Sequence, residues 1–208
     1  MRVIPYAEWC DVPFNRTPNQ ILVKQPQVWL HHGAAGTSTI PTARRYAADH
    51  ASRAGWAGIG YSWLIADGQV LEGRGAGRQG AHTAGRNRTS YGICLVGNYS
   101  HRAPSQQDVD ALVWLLQHGH KQGWFNAPQL TGGHRDVVAT ACPGAQAYKM
   151  IPDINRKATD VTAQQPAPTQ RNIDDDIRRI RISLRAIGNA LGLPVDINGP
   201  TDGTTVIT

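Results

Sequence analysis

Apolar positions along the chain fall into two alternating rhythms, short solid runs and helical stripes. The segment "QVWLHHG" (27–33) is a compact apolar run closed by glycine, the pattern of a buried strand. In "PTARRYAADHASRAG" (41–55), proline opens an Ala/Arg-rich stretch and glycine closes it, which predicts a helix. The run "GIGYSWLIADGQVLEGRG" (58–75) holds two apolar segments joined across Asp67-Gly68, a hairpin signal. A further buried strand is expected over "SYGICLVGN" (90–98). Over 105–123, Val109, Leu112, Val113 and Leu116 share one helical stripe, with Ser105 as N-cap and Asp108 at the capping-box position. A last short helix is expected from Pro143. Strands interleaved with helices predict an α/β class.

Outside this body the pattern changes. Residues 1–25, rich in Pro and Asn, read as an irregular segment, and 26–157 form the main domain. Residues 158–172 are polar and Pro-containing, so they read as a linker. In 173–193, Ile173, Ile177, Ile180, Leu184, Ile187 and Leu191 repeat at spacings of four and three. That heptad stripe predicts an amphipathic helix packing on another helix, either as a homo-oligomer through 173–191 or folded back on the domain. Asn172 suits its N-cap, and residues 194–208 form a tail.

Composition narrows the function classes. With 208 residues, 40% hydrophobic and 17% charged, the chain fits one ordinary globular domain with an appendage. Net charge +6 suits anionic partners such as wall polymers or a membrane surface. No basic run of five and no nucleic-acid motif occurs, so nucleic acid is the weakest of these partners. No apolar run reaches the length of a transmembrane segment, and the first residues lack the apolar core of a signal peptide. An extracytoplasmic target is therefore expected to be reached by another route.

Three cysteines are too few for a disulfide scaffold. Cys94 lies in an apolar run and reads as a small core residue. Cys142, in "GGHRDVVATACPG" (132–144), keeps company with His134 and precedes a proline that can open a helix, a position that favours a thiolate. Upstream, His31 and His32 end an apolar strand whose alternation turns one imidazole to the cleft and the other away. One strand histidine, one loop histidine and one loop cysteine make three N/S donors. Three protein ligands leave the fourth tetrahedral position of zinc open, the catalytic arrangement. Structural zinc requires a fourth ligand, and no CxxC or HxxxH spacing supplies it.

Four ordered blocks, "WLHHGAAG", "GWAGIGYSWLIADGQVLEGRG", "GAHTAGRNRTSYGICLVGNY" and "GHRDVVATACPG", resemble the zinc-dependent N-acetylmuramoyl-L-alanine amidases of the type-2 amidase and peptidoglycan recognition protein superfamily. The resemblance covers residues 28–152. It implies a central mixed β-sheet flanked by helices, one zinc ion per chain, and hydrolysis of the amide between the muramic acid lactyl group and L-alanine of peptidoglycan. Its zinc ligands fall on His31, His134 and Cys142, with His31 preferred over His32 as first of the pair. Tyr61 matches a tyrosine beside the metal, able to orient water or bond the oxyanion. Thr140 occupies a position held by Lys or Thr in relatives and can bond the same centre or brace its turn. His82 and Asn87 match groove positions and imply substrate binding, and Arg74 is a candidate for a stem-peptide carboxylate. His50, His101, His118 and His120 read as surface or core residues. The missing secretion signal, small size and C-terminal appendage fit a bacteriophage endolysin, expected to be made in the host cytoplasm and released by a holin-type pore. A non-catalytic peptidoglycan-binding protein and a bacterial autolysin are the alternatives; binding-only relatives typically lose the cysteine.

Overall fold

Solid apolar runs become the middle of a sheet because strands covered on both faces have no polar side to alternate. The computed structural model describes residues 1–14, 24, 26–53 and 55–160. Among these, strands β1 (Val3–Ile4), β2 (Gln27–His32), β3 (Trp63–Ala66), β4 (Gln69–Glu72), β5 (Ser90–Leu95) and β6 (Gly132–Gly133) form a sheet of order β1-β4-β3-β5-β2-β6. Only β3 and β4 pair antiparallel, across the Asp67-Gly68 turn. Both turn residues adopt positive φ, 52° and 65°, as a two-residue hairpin demands. The sheet is mixed and flanked by helices, as the resemblance implies.

The two faces carry different cores. Val28 and Leu30 of β2, Trp63 and Ile65 of β3 and Ile93 and Leu95 of β5 pack under α3 (Gln106–Lys121) and α5 (Ile151–Thr159). Leu64, Ala66, Leu71, Cys94 and Val96 meet Ala43 and Ala47 of α2 (Ile40–Ala51) on the other face. Alternation along β2 thus separates Leu30 from His31. Helix α3 is fastened to the hairpin by Asp108, only 1% exposed. Its backbone N–H donates to Ser105 Oγ (3.1 Å), Ser105 Oγ donates to Asp108 Oδ2 (2.8 Å), and Oδ1 accepts the Gly68 N–H (3.0 Å). The expected stripe of α3 is buried at Val109, Leu112 and Leu116, while Val113 is half-buried and Leu115 takes its place in the core.

Several boundaries differ from the sequence expectation. Residues 1–25 are not wholly irregular: β1 extends the sheet beside β4, and α1 (Tyr6–Trp9) packs its two rings into the α2-side core. Trp9 Nε1 donates to the Glu72 carbonyl (2.8 Å), a long-range bond that no local periodicity announces. Helix α2 stops at Ala51 instead of continuing to Gly55, because the Arg53 N–H turns back to the His50 carbonyl (3.3 Å). The helix expected from Pro143 begins at Ala145 (α4, Ala145–Lys149), since Gly144 sits at φ 87°, outside helical space. Cys142 therefore does not stand at a helix N-terminus. Helix α5 runs past 157 to Thr159; the rest of the expected linker, the heptad stripe of 173–193 and the tail lie outside the described residues.

Asp108 supplies a direct test of how the hairpin is held. Replacing it with Ala strands the Gly68 N–H and takes the acceptor from the Ser105 hydroxyl, while the backbone cap bond to Ser105 stays, and urea unfolding is expected to register a loss of about 2–3 kcal/mol. Asp108→Asn, which keeps an acceptor for Gly68, is expected to lose less than half of that. Equal losses for the two variants would contradict this account.

Candidate metal centre

Strand register assembles the centre. In β2, Trp29 and Leu30 pair with Gly132 and Gly133 of β6, so the next rung sets His31 beside His134. On its other side His31 pairs with Cys94 of β5. His134 opens a short 3-10 turn (His134–Asp136) that Asp136 anchors by accepting the Gly133 N–H on Oδ2 (2.9 Å). The chain then loops back to Cys142, and Arg135 clamps that return. Its backbone N–H donates to the Cys142 carbonyl (3.0 Å) and its Nη2 donates to the Ala141 carbonyl. Thr140 Oγ1 accepts the Cys142 N–H (3.3 Å), so this residue braces the turn, and its exposed hydroxyl keeps a proton to donate.

The outcome is a cluster in which one donor atom each from His31, His134 and Cys142 lies within 4.8 Å of the others. Cys142 Sγ is 3.7 Å from His31 Nδ1 and accepts the His32 N–H at 3.4 Å. The His31 and His134 rings stand 4.5 Å apart. His32 faces the opposite side, where its Nδ1 accepts the Tyr99 N–H (3.2 Å). Two imidazoles and one thiol at this spacing fit a zinc ion with one position left for a fourth ligand. Burial pushes the Cys142 thiol up to about 11, against the smaller opposing effects of the His32 N–H and Arg135. Desolvation holds His31 well below the ordinary imidazole value, and the neighbouring His82, His134 and His32 add to it. His134 is lowered by burial as well.

Tyr61 stands against the cluster, its ring centroid 5.4 Å from that of His31. Desolvation, then Cys94 and Cys142, raises its phenol well above 10, so it remains a donor at neutral pH. Beside it opens a cavity of about 300 Å³ bordered by Tyr61, His82, His50, Trp56, Arg53 and Asp49.

The three residues expected at the groove each make internal hydrogen bonds. His82 borders the cavity, but both its ring nitrogens are engaged: Nδ1 with His31 Nε2 (3.2 Å) and Thr83 Oγ1 (3.0 Å), Nε2 with the Ser90 carbonyl (3.3 Å). Asn87 Oδ1 accepts the N–H groups of His82 and Thr83 (both 2.8 Å), so it shapes the loop. Arg74 donates to the carbonyls of Ile59 and Gln79 (both 2.8 Å) and knots the hairpin to the following loop. The residues missed are His50, Arg53 and Trp56, which wall the cavity. They lie at the end of α2 and in the loop after it, where only the folded chain brings them to Tyr61.

A family model described as N-acetylmuramoyl-L-alanine amidase matches residues 24–145. Peptidoglycan recognition protein 1 of Rattus norvegicus is 34% identical over 158 residues, covering 72% of this chain and 85% of that protein. N-acetylmuramoyl-L-alanine amidase of Sus scrofa is 30% identical over 176 residues, which is 77% of this chain but only 29% of the pig protein. Among solved structures, bumblebee PGRP-SA superposes with a TM-score of 0.68 at 34% identity, over 73% of this chain and 94% of that one. Drosophila PGRP-LB gives a TM-score of 0.66 at 30% identity, over 72% and 92%.

The cavity wall carries a pH signature. His50 Nδ1 accepts the Gly60 N–H (3.0 Å), which requires a neutral ring, and burial lowers His50 to about 4. An unfolded imidazole titrates near 6.5. The unfolded chain therefore gains a proton that the folded one refuses as pH falls from about 6.5 to about 4. The stability is full above that window and is lost through it. The loss is expected to be no more than about 1 kcal/mol per pH unit from His50, after screening by water. Urea midpoints of metal-free protein should fall from pH 7 to pH 5, and His50→Asn should flatten that slope; an identical slope in the variant would contradict it.

Proposed function

The chain belongs to the N-acetylmuramoyl-L-alanine amidase family, and from that premise we propose that it is a zinc hydrolase. Its proposed reaction cleaves the amide between the lactyl group of N-acetylmuramic acid and the L-alanine of the peptidoglycan stem peptide. The observation that carries this reading is the meeting of His31, His134 and Cys142 beside the raised phenol of Tyr61. His31, His134 and Cys142 would hold the ion. The chemistry that zinc contributes there is Lewis-acid polarisation of the carbonyl and of water.

The protein's own groups do the rest. Tyr61, still protonated at neutral pH, donates a hydrogen bond to the oxygen that gains negative charge as the amide is attacked. Thr140 has a hydroxyl proton free of the Cys142 turn and offers it to the same oxygen. The cavity beside Tyr61 receives the peptide portion: Trp56 gives an apolar wall, Arg53 an exposed cation and Asp49 an anion at its border. In the cell the proposed role is that of a bacteriophage endolysin, made in the host cytoplasm and passed to the wall by a holin-type pore. Net charge +6 supports adhesion to anionic wall polymers. Recognition without hydrolysis is the second reading, favoured by the name of the rat relative.

Digestion of purified peptidoglycan separates these readings. New N-terminal alanine without new reducing sugar ends is expected, with about one zinc per chain. Cys142→Ala should abolish release, and Tyr61→Phe should slow it about 100-fold. Reducing ends without free alanine would refute amide cleavage, and wall binding without either product would select recognition. For the cellular role, host cultures expressing the chain should lyse when a pore-forming protein is co-expressed. Equally fast lysis without the pore would contradict an endolysin released that way.

A further inference from the structure

His82 was expected at the substrate groove, yet its surroundings are built to hold an imidazole still. A Cβ on Gly92 of β5 would stand 2.5 Å from the His82 ring, and one on Gly80 would stand 2.3 Å from it. No residue larger than glycine fits at either position without moving the ring. The residue is 9% exposed, and its backbone N–H is pinned by Asn87 Oδ1. Those contacts hold the imidazole directly behind His31, Nδ1 to Nε2 at 3.2 Å.

The direction of the hydrogen bonds follows from chemistry. The Ser90 carbonyl can only accept, so the proton of His82 is on Nε2. With no carboxylate among its described hydrogen-bond partners, the buried ring is neutral, and its Nδ1 is an acceptor. His31 then donates from Nε2, which leaves the lone pair of His31 on Nδ1, the nitrogen 3.7 Å from Cys142 Sγ. We infer that His82 is a positioning residue that fixes the tautomer and ring orientation of His31, presenting Nδ1 to the metal through a Ser90–His82–His31 relay. The inference rests on the zinc reading above. A histidine ligand commonly donates its second N–H to a carboxylate, carbonyl or water; here a second, glycine-cradled imidazole serves as that acceptor.

The tautomer is readable without any substitution. In metal-free wild-type protein at pH 7.5, ¹⁵N shifts should show His31 Nε2 protonated and Nδ1 bare; the reverse tautomer overturns the inference. Variants add a second readout, zinc affinity by competition with a chromophoric chelator. His82→Phe keeps the ring volume but removes the acceptor, and affinity should fall about 10- to 100-fold. His82→Asn places an amide oxygen near the Nδ1 position and should recover most of that loss. With cobalt in place of zinc, the thiolate charge-transfer and d–d bands should shift in the Phe variant and return in the Asn variant. Zinc affinity and cobalt spectrum unchanged in a folded His82→Phe protein would overturn the inference while leaving the zinc site intact. Wild-type protein that binds no zinc would instead sink the zinc reading, and the His31 tautomer would still decide this one.

Discussion

Backbone hydrogen bonding between β2 and its two parallel neighbours determines where the histidine donors stand. Because β2 lies in register with β5 and with β6, Cys94, His31 and His134 occupy one row across the sheet. A slip of one residue would turn His31 into the α3-side core and bring His32 to the centre. The slip is opposed on both faces. Val28 and Leu30 would leave the α3-side core, and the His32 imidazole would lose the Tyr99 N–H. Hydrophobic burial on one face thus sets the metal-type chemistry on the other.

The cluster is arranged to be uncharged in the absence of a cation. Burial raises the Cys142 thiol and lowers the His31 and His134 imidazoles, so at neutral pH the cluster carries no charge to desolvate. A buried thiolate alone would be costly; beside a divalent ion it is the favoured form. The His32 N–H and the Arg135 guanidinium act in the same direction as the ion. Arg135 also ties the cysteine turn by its hydrogen bonds, so electrostatics and geometry share one side chain. Tyr61 follows the same logic, since desolvation beside two thiols keeps its proton where a donor is required.

What the sequence revealed and what it hid divide along a physical line. Strand alternation and the order of four motifs were enough to place His31, His134, Cys142 and Tyr61, because those positions depend on local period and on register. The Asp67-Gly68 turn and the Ser105/Asp108 cap were legible for the same reason. His82 and Asn87 were expected at substrate because they match groove positions of the family, and Arg74 because its charge suits a carboxylate; a glycine-rich loop leaves few clues to its own hydrogen bonds. Their partners, the His31 ring, two loop amides and two carbonyls, are fixed only when the loop folds onto β5 and the hairpin. His50 was hidden by its place at the end of an ordinary surface helix. The small β1–α1 segment was hidden by its length, since two strand residues and one helical turn carry no period.

The layout also accounts for how one fold can carry both kinds of name found among its relatives, recognition protein and amidase. The cavity is walled by the end of α2, Trp56 and Tyr61, whereas the thiol arrives on a separate loop held by Arg135 and Thr140. The sulfur accepts the His32 N–H and also meets the His31 Nδ1 and the His32 carbonyl, whereas the bonds that hold the loop itself, made by Arg135 and Thr140, do not use it. Loss of the thiol would therefore leave the loop clamp and the wall of the cavity standing. Cys142 thus faces the buried His31 and the half-buried His134 on a turn whose own clamp does not depend on the sulfur. The fold alone would be satisfied by any small side chain at that position.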